Sequence, residues 1–174
     1  MQQKITSTTV KGFIIGLIMI AFSLTVSFLG LQSNSIFQWF GYGIFLIGII
    51  LAISQYGKQL NYNSKFGDYF AHGFKVSAVV TLLMIVFLII FMTVFPEFKD
   101  KAMDEARKSM NAKNNLSEEQ IEKAIDITRK FFMVFLIGGA LLGYLLFGAI
   151  ASLIGAAITK KDPQPFQDIN QIGE

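Results

Sequence analysis

The sequence predicts an all-α, polytopic membrane protein with four transmembrane helices and an extramembrane helical hairpin between the third and fourth. Three observations carry this. The chain is 53% apolar and only 16% charged, and four long stretches carry no Asp, Glu, Lys or Arg at all. The charged connection between the last two of those stretches repeats its apolar residues every four positions, as an amphipathic helix does.

A helix rises ~1.5 Å per residue, so about 20 apolar residues are needed to cross a ~30 Å hydrocarbon layer. Four segments meet that requirement: Gly12 to Leu31, Ile36 to Ile53, Val76 to Phe95 and Phe131 to Ile158. In the third, 14 residues are Leu, Ile, Val or Phe. At ~0.3 to 0.6 kcal/mol each they favour insertion by roughly 4 to 8 kcal/mol. Its Ser77, Thr81 and Thr93 are compatible with insertion, because a hydroxyl can bond back to its own helix. The first segment follows Lys4 and Lys11 and precedes Ser33 and Ser35, an outline shared with secretory signals. Its apolar run exceeds the ~7 to 15 residues of a signal core and three spans follow, so it reads as a retained anchor.

Flanking cations set the orientation. Lys4 and Lys11 precede the first span, the connection Gln32 to Ser35 is uncharged, and Lys58, Lys65, Lys75, Lys160 and Lys161 lie on the same side as the N-terminus. Both termini are therefore expected in the cytoplasm. The third connection, 96–130, opposes this with eight Lys or Arg, but eight Asp or Glu offset them.

Within 96–130, Ala102, Ala106 and Met110 form one apolar stripe, Asn114 and Asn115 interrupt it, and Ile121, Ile125 and Thr128 form a second. Ser117 and Gln120 have capping-box spacing, with Glu118 and Glu119 in the first turn. The pattern then runs into the fourth span without a breaker, while Pro96 either kinks the third span or starts the first hairpin helix. The whole chain, 1–174, is read as one four-helix domain with this insertion and a polar tail at 160–174. In the second connection, Phe66, Tyr69, Phe70 and Phe74 alternate with Lys65, Asp68, His72 and Lys75, a mixture suited to lying flat at the headgroups before turning inward at Gly73.

The stretch from Phe66 through Gly67, Asp68, Tyr69, Phe70, Ala71, His72, Gly73 and Phe74 to Lys75, leading into a span that holds Thr81, resembles the uncharacterised bacterial membrane protein family known as domain of unknown function 4199. The resemblance extends over nearly the whole chain: four spans, a charged helical third connection and a basic tail at Lys160 and Lys161. It implies a bacterial cytoplasmic (inner) membrane and brings no activity or catalytic residue.

The chain has no Cys and one His, which excludes disulfides, thiol nucleophiles and multi-histidine metal sites. No phosphate-binding glycine loop is present. Net charge is +3 without a basic and aromatic stripe, so membrane topology accounts for it and nucleic acid is not expected. His72 reads as interfacial filler in preference to a proton switch, and Asp104 with Glu105 and Glu118 with Glu119 read as solvated faces in preference to a cation site. No catalytic, cofactor or metal residues are expected.

The fourth span holds the informative pattern. Gly139, Gly143, Gly148, Ser152 and Gly155, with Ala151 and Ala156, place small side chains on adjacent turns where another helix can approach closely. Gly12 and Gly16 of the first span are candidates for the facing surface. The expectation is a non-enzymatic scaffold or accessory subunit in the lipid bilayer, contacting a second copy or another membrane protein. The alternative is an oligomeric passage or transporter for an uncharged solute or lipid, marked by Thr25, Ser27, Tyr144 and Ser152 sharing one cavity. Ion coupling is disfavoured, since the spans so drawn contain no Asp, Glu, Lys or Arg.

Overall fold

A computed structural model describes residues 6–31, 34–112 and 117–159. The readings placed on Lys4, Gln32, Ser33, Asn114, Asn115 and the 160–174 tail lie outside these. The described residues form six helices and no strand: α1 (Thr8–Phe28), α2 (Ser35–Gln59), α3 (Phe66–Val94), α4 (Glu97–Ala112), α5 (Glu118–Lys130) and α6 (Phe132–Ile158). Four of them, α1, α2, α3 and α6, are long and apolar enough to cross a membrane.

Local chemistry sets where the helices start. The Ser7 hydroxyl accepts the Val10 N–H at 3.3 Å and the Asn34 side chain accepts the Ile36 N–H at 2.9 Å. At the head of α3, the Asp68 carboxylate accepts both the Lys65 N–H at 3.2 Å and the Ser64 hydroxyl at 2.8 Å. At α5, Ser117 and Gln120 exchange reciprocal bonds of 2.9 and 3.3 Å, the capping box legible in the sequence. The turn from α2 into α3 passes through Asn61 and Tyr62 at φ of 50° and 59°. The Tyr62 N–H returns to the Gly57 carbonyl at 2.8 Å, which closes the end of α2.

These caps extend the helices beyond their apolar runs. α1 begins at Thr8, not Gly12, and so takes in Lys11; α2 continues past Ile53 to Gln59. The segment expected to lie flat and turn at Gly73 is instead the first part of α3, which runs unbroken from Phe66. Hydropathy marks the part of a helix suited to hydrocarbon, whereas backbone hydrogen bonds and caps decide where the helix ends.

The four long helices alternate in direction. α3 packs against α1, α2 and α6, and α2 also touches α1 and α6, so α1 and α6 occupy opposite flanks of an α2–α3 centre. Phe45, Ile49, Ile53, Tyr69, Val76, Val80 and Ala151 are fully buried there. One end of the bundle gathers Lys11, Lys58, Lys65 and Lys75, and the other adjoins α4 and α5.

α4 and α5 pack on each other in antiparallel fashion, with exposed ion pairs Arg129–Asp100 at 3.7 Å and Arg107–Glu122 at 3.6 Å. Their contact buries Ile121 and Ile125, as the apolar spacing indicated, but on α4 the buried residue is Met103, while Ala102, Ala106 and Met110 are half-buried. A Met side chain is longer and more adaptable than Ala, so it can be buried between two helices where neighbouring alanines stay partly exposed. Pro96 precedes α4, and its carbonyl accepts the Lys99 N–H at 3.0 Å, so it starts that helix. Phe131 interrupts the expected continuous run from α5 to α6. The N–H of Phe131 still donates to the Ile127 carbonyl and its own carbonyl still accepts from Phe135, both at 3.0 Å, so the hydrogen-bonded backbone carries on through the interruption at the polar to apolar boundary. The Phe91 and Phe98 rings meet at a tilt with centroids 4.9 Å apart, tying the head of α4 to α3, and Phe95 meets Phe28 edge-on at 5.8 Å, tying the end of α3 to α1.

Candidate functional site

α1 lies close against α3 because Gly12 and Gly16 present no side chain. A Cβ on Gly12 would sit 2.6 Å from the Val79 Cβ, and one on Gly16 would collide with Leu83. These glycines therefore face α3, not the small-residue face of α6 as the sequence suggested. The approach carries the neighbouring Lys11 inward, leaving it 4% exposed.

The Lys11 ammonium donates to the Ala52 carbonyl of α2 at 3.1 Å and to Nε2 of His72 on α3 at 3.4 Å. An ammonium can only donate, so Nε2 is the acceptor in this arrangement and the ring proton is on Nδ1. Tyr56 stacks flat on the His72 ring, with centroids 3.9 Å apart and planes 9° apart, and its own ring lies 5.7 Å from the Lys11 Nζ. Tyr69 meets Tyr56 edge-on at 6.1 Å. Its hydroxyl is buried without a hydrogen-bond partner among the described residues.

No carboxylate lies within 4.0 Å of Lys11 among the described residues. A buried cation balanced by a carbonyl, an imidazole and an aromatic face carries an effective desolvation penalty of roughly several kcal/mol. The corner is suited to attracting an anion. His72, 7% exposed, is thus neither interfacial filler nor a surface switch: it is a buried acceptor for Lys11. Sequence reasoning missed Lys11 because it was counted as a flank. The available signal was spacing, since Lys11, Ile15 and Met19 recur every four residues on the buried face of α1.

The small residues of α6 divide into two groups. A Cβ on Gly148 would collide with the Ser77 hydroxyl, and one on Gly155 would come within 2.6 Å of the Ile53 side chain. Ser152 is fully buried, with its hydroxyl donating to the Gly148 carbonyl at 2.7 Å, and Ala151 and Ala156 are buried beside it. On α3, a Cβ at Gly73 would lie 2.8 Å from the Ser152 hydroxyl oxygen, so backbones approach from both sides. The N-terminal group differs. Gly138 and Gly139 have open space where a side chain would go, and Gly143 has only the Tyr42 hydroxyl at 3.9 Å.

The remaining candidates are dispersed. Ser27 lines grooves near Phe37 and near Phe98, at the end of the bundle away from Lys11, whereas Ser152 abuts Gly73 near the lysine end. Thr25 is exposed and bonds its own helix at Ala21, so Thr25, Ser27, Tyr144 and Ser152 do not converge on one cavity. Asp104, Glu105 and Glu118 are exposed, and Glu119 pairs with Lys123 at 2.7 Å. Among the described residues, no group of three or more His, Asp or Glu is arranged to hold a metal ion.

No curated protein and no solved structure matches the chain. The family profile described as "Protein of unknown function (DUF4199)" matches residues 11–161, and the chain belongs to that family.

Proposed function

We propose that the protein is a non-enzymatic accessory or scaffold subunit of a bacterial cytoplasmic membrane, acting through contact with another membrane helix. The observation that carries this reading is the uneven packing of α6. Only 6% of its most apolar stretch is buried within the bundle, against 33% for α3, and Gly138 and Gly139 lie in the open part. A membrane helix surface with small residues lets a second backbone approach closely, and dispersion contact is a main driving force for association in lipid. Val134, Phe135, Leu142 and Leu146 would flank that approach.

In this reading both termini are cytoplasmic, because Lys11, Lys58, Lys65 and Lys75 gather at one end of the bundle, and the sequence carries further cations, Lys4, Lys160 and Lys161, just before α1 and just after α6. The α4–α5 pair then forms an extramembrane helical hairpin on the opposite side, next to the open half of α6, where its charged faces add a second contact for a partner. Affinity purification of the full chain in mild detergent is expected to recover a stoichiometric membrane partner or a defined oligomer. A clean monomer with no partner would contradict the reading.

A further inference from the structure

A groove of about 480 Å³ runs between α1 and α2, on the flank of the bundle away from α6. Its walls include Ile18 and Leu51, both more than half exposed, and its polar end carries Lys11, Gln55 and Lys58. We propose that this groove binds one anionic phospholipid, with the headgroup phosphate at Lys11 and Lys58 and an acyl chain along Ile18 and Leu51. The proposal does not depend on the role of α6.

Three observations support that occupant. First, length: from Gly48 to Lys58 the groove follows ten residues of α2, about 15 Å at ~1.5 Å per residue, which is half of a ~30 Å hydrocarbon layer. One leaflet's lipid therefore matches its depth. Second, charge: the lining contains two lysines and no carboxylate, and buried Lys11 has no carboxylate within 4.0 Å among the described residues. A phosphate would supply the missing counter-charge, and the Gln55 amide can donate to the same group. Third, sorting along the groove: its polar residues are at one end and its apolar residues at the other, as a lipid's own groups are. A free anion would have no use for the apolar length.

The test is native mass spectrometry on the purified full chain, titrated with phosphatidylglycerol and with phosphatidylcholine of the same acyl chains. One phosphatidylglycerol is expected to be retained per chain, with phosphatidylcholine lost at the same collision energy. Lys58→Gln, at an exposed position, is expected to weaken retention roughly fivefold, the effect of about one lysine at an anionic surface. Leu51→Trp, also exposed, should weaken it by filling the groove. Lys11→Gln is expected to act more strongly; if that variant fails to fold, the two exposed variants carry the test. Equal retention of both lipids, or retention unchanged by Lys58→Gln and Leu51→Trp, would overturn the proposal in favour of ordinary annular lipid. Displacement of phosphatidylglycerol by millimolar inorganic phosphate, without dependence on acyl length, would overturn it in favour of a free anion.

Discussion

The two halves of α6 have similar sequences and different surroundings. From Gly148 to Ala156 the small residues are covered by Ser77 and Gly73 of α3 and by Ile53 of α2; from Gly138 to Gly143 almost nothing covers them. Small-residue spacing therefore specifies that a backbone can approach, and the rest of the bundle decides which backbone does. In the C-terminal half the approaching helices belong to the same chain. In the N-terminal half the bundle supplies only the Tyr42 hydroxyl near Gly143.

Substitutions in the two halves should separate most strongly. Gly148→Leu or Gly155→Leu forces a side chain into Ser77 or Ile53, and overpacking of this kind costs about 1 to 3 kcal/mol or more. A fall in the thermal midpoint of the detergent-solubilised chain reads this out. Gly139→Leu should alter that midpoint by no more than about 0.5 kcal/mol equivalent, since it meets open space, yet reduce recovery of a partner or oligomer. If Gly139→Leu were as destabilising as Gly148→Leu, the contrast between the halves would fail.

The lysine corner tests whether the closely packed side of the molecule is held by polar contacts as well as by shape. His72→Phe removes an acceptor from buried Lys11 and should cost about 1 to 3 kcal/mol. A double-mutant cycle with Lys11→Met should return a coupling of roughly 0.5 to 3 kcal/mol, measured by unfolding in detergent. Additivity would mean that the 3.4 Å contact contributes nothing.

Smaller effects are expected where exposure is greater. Arg107→Ala or Asp100→Ala should loosen the α4–α5 contact by less than about 1 kcal/mol, and the loss should shrink at high salt. Hydrogen exchange of α4 and α5 amides would register it without change in the four long helices. Tyr69→Phe deletes a buried hydroxyl that has no partner among the described residues, so the thermal midpoint should stay level or rise by up to about 1 kcal/mol equivalent.

Much of the architecture was legible because a bilayer demands long charge-free runs, and such runs are visible in sequence. The cap at Ser117 was legible for a similar reason: its chemistry is local. What escaped depends on neighbours distant in sequence. Asp68, His72 and Lys75 lower the apolarity of the first part of α3, so the helix looked like an interfacial segment until its cap and its contacts with α1 and α2 were seen. Lys11 looked like a flanking cation because the glycine contacts that draw it inward involve Val79 and Leu83, some 70 positions away. The division of α6 could not be read from its spacing, since Gly139 and Gly148 differ only in what faces them.

The most direct test uses a single cysteine carrying a photoactivatable crosslinker, introduced into a chain that has no native Cys. Placed at position 139 and irradiated in native membranes, it should join another polypeptide, either a second copy or a different membrane protein. Placed at position 158, on the exposed surface beyond the packed half of α6, it should not. Equal polypeptide adducts at both positions, or none at 139 in a folded chain, would contradict the claim that the open half of α6 is a helix-binding face.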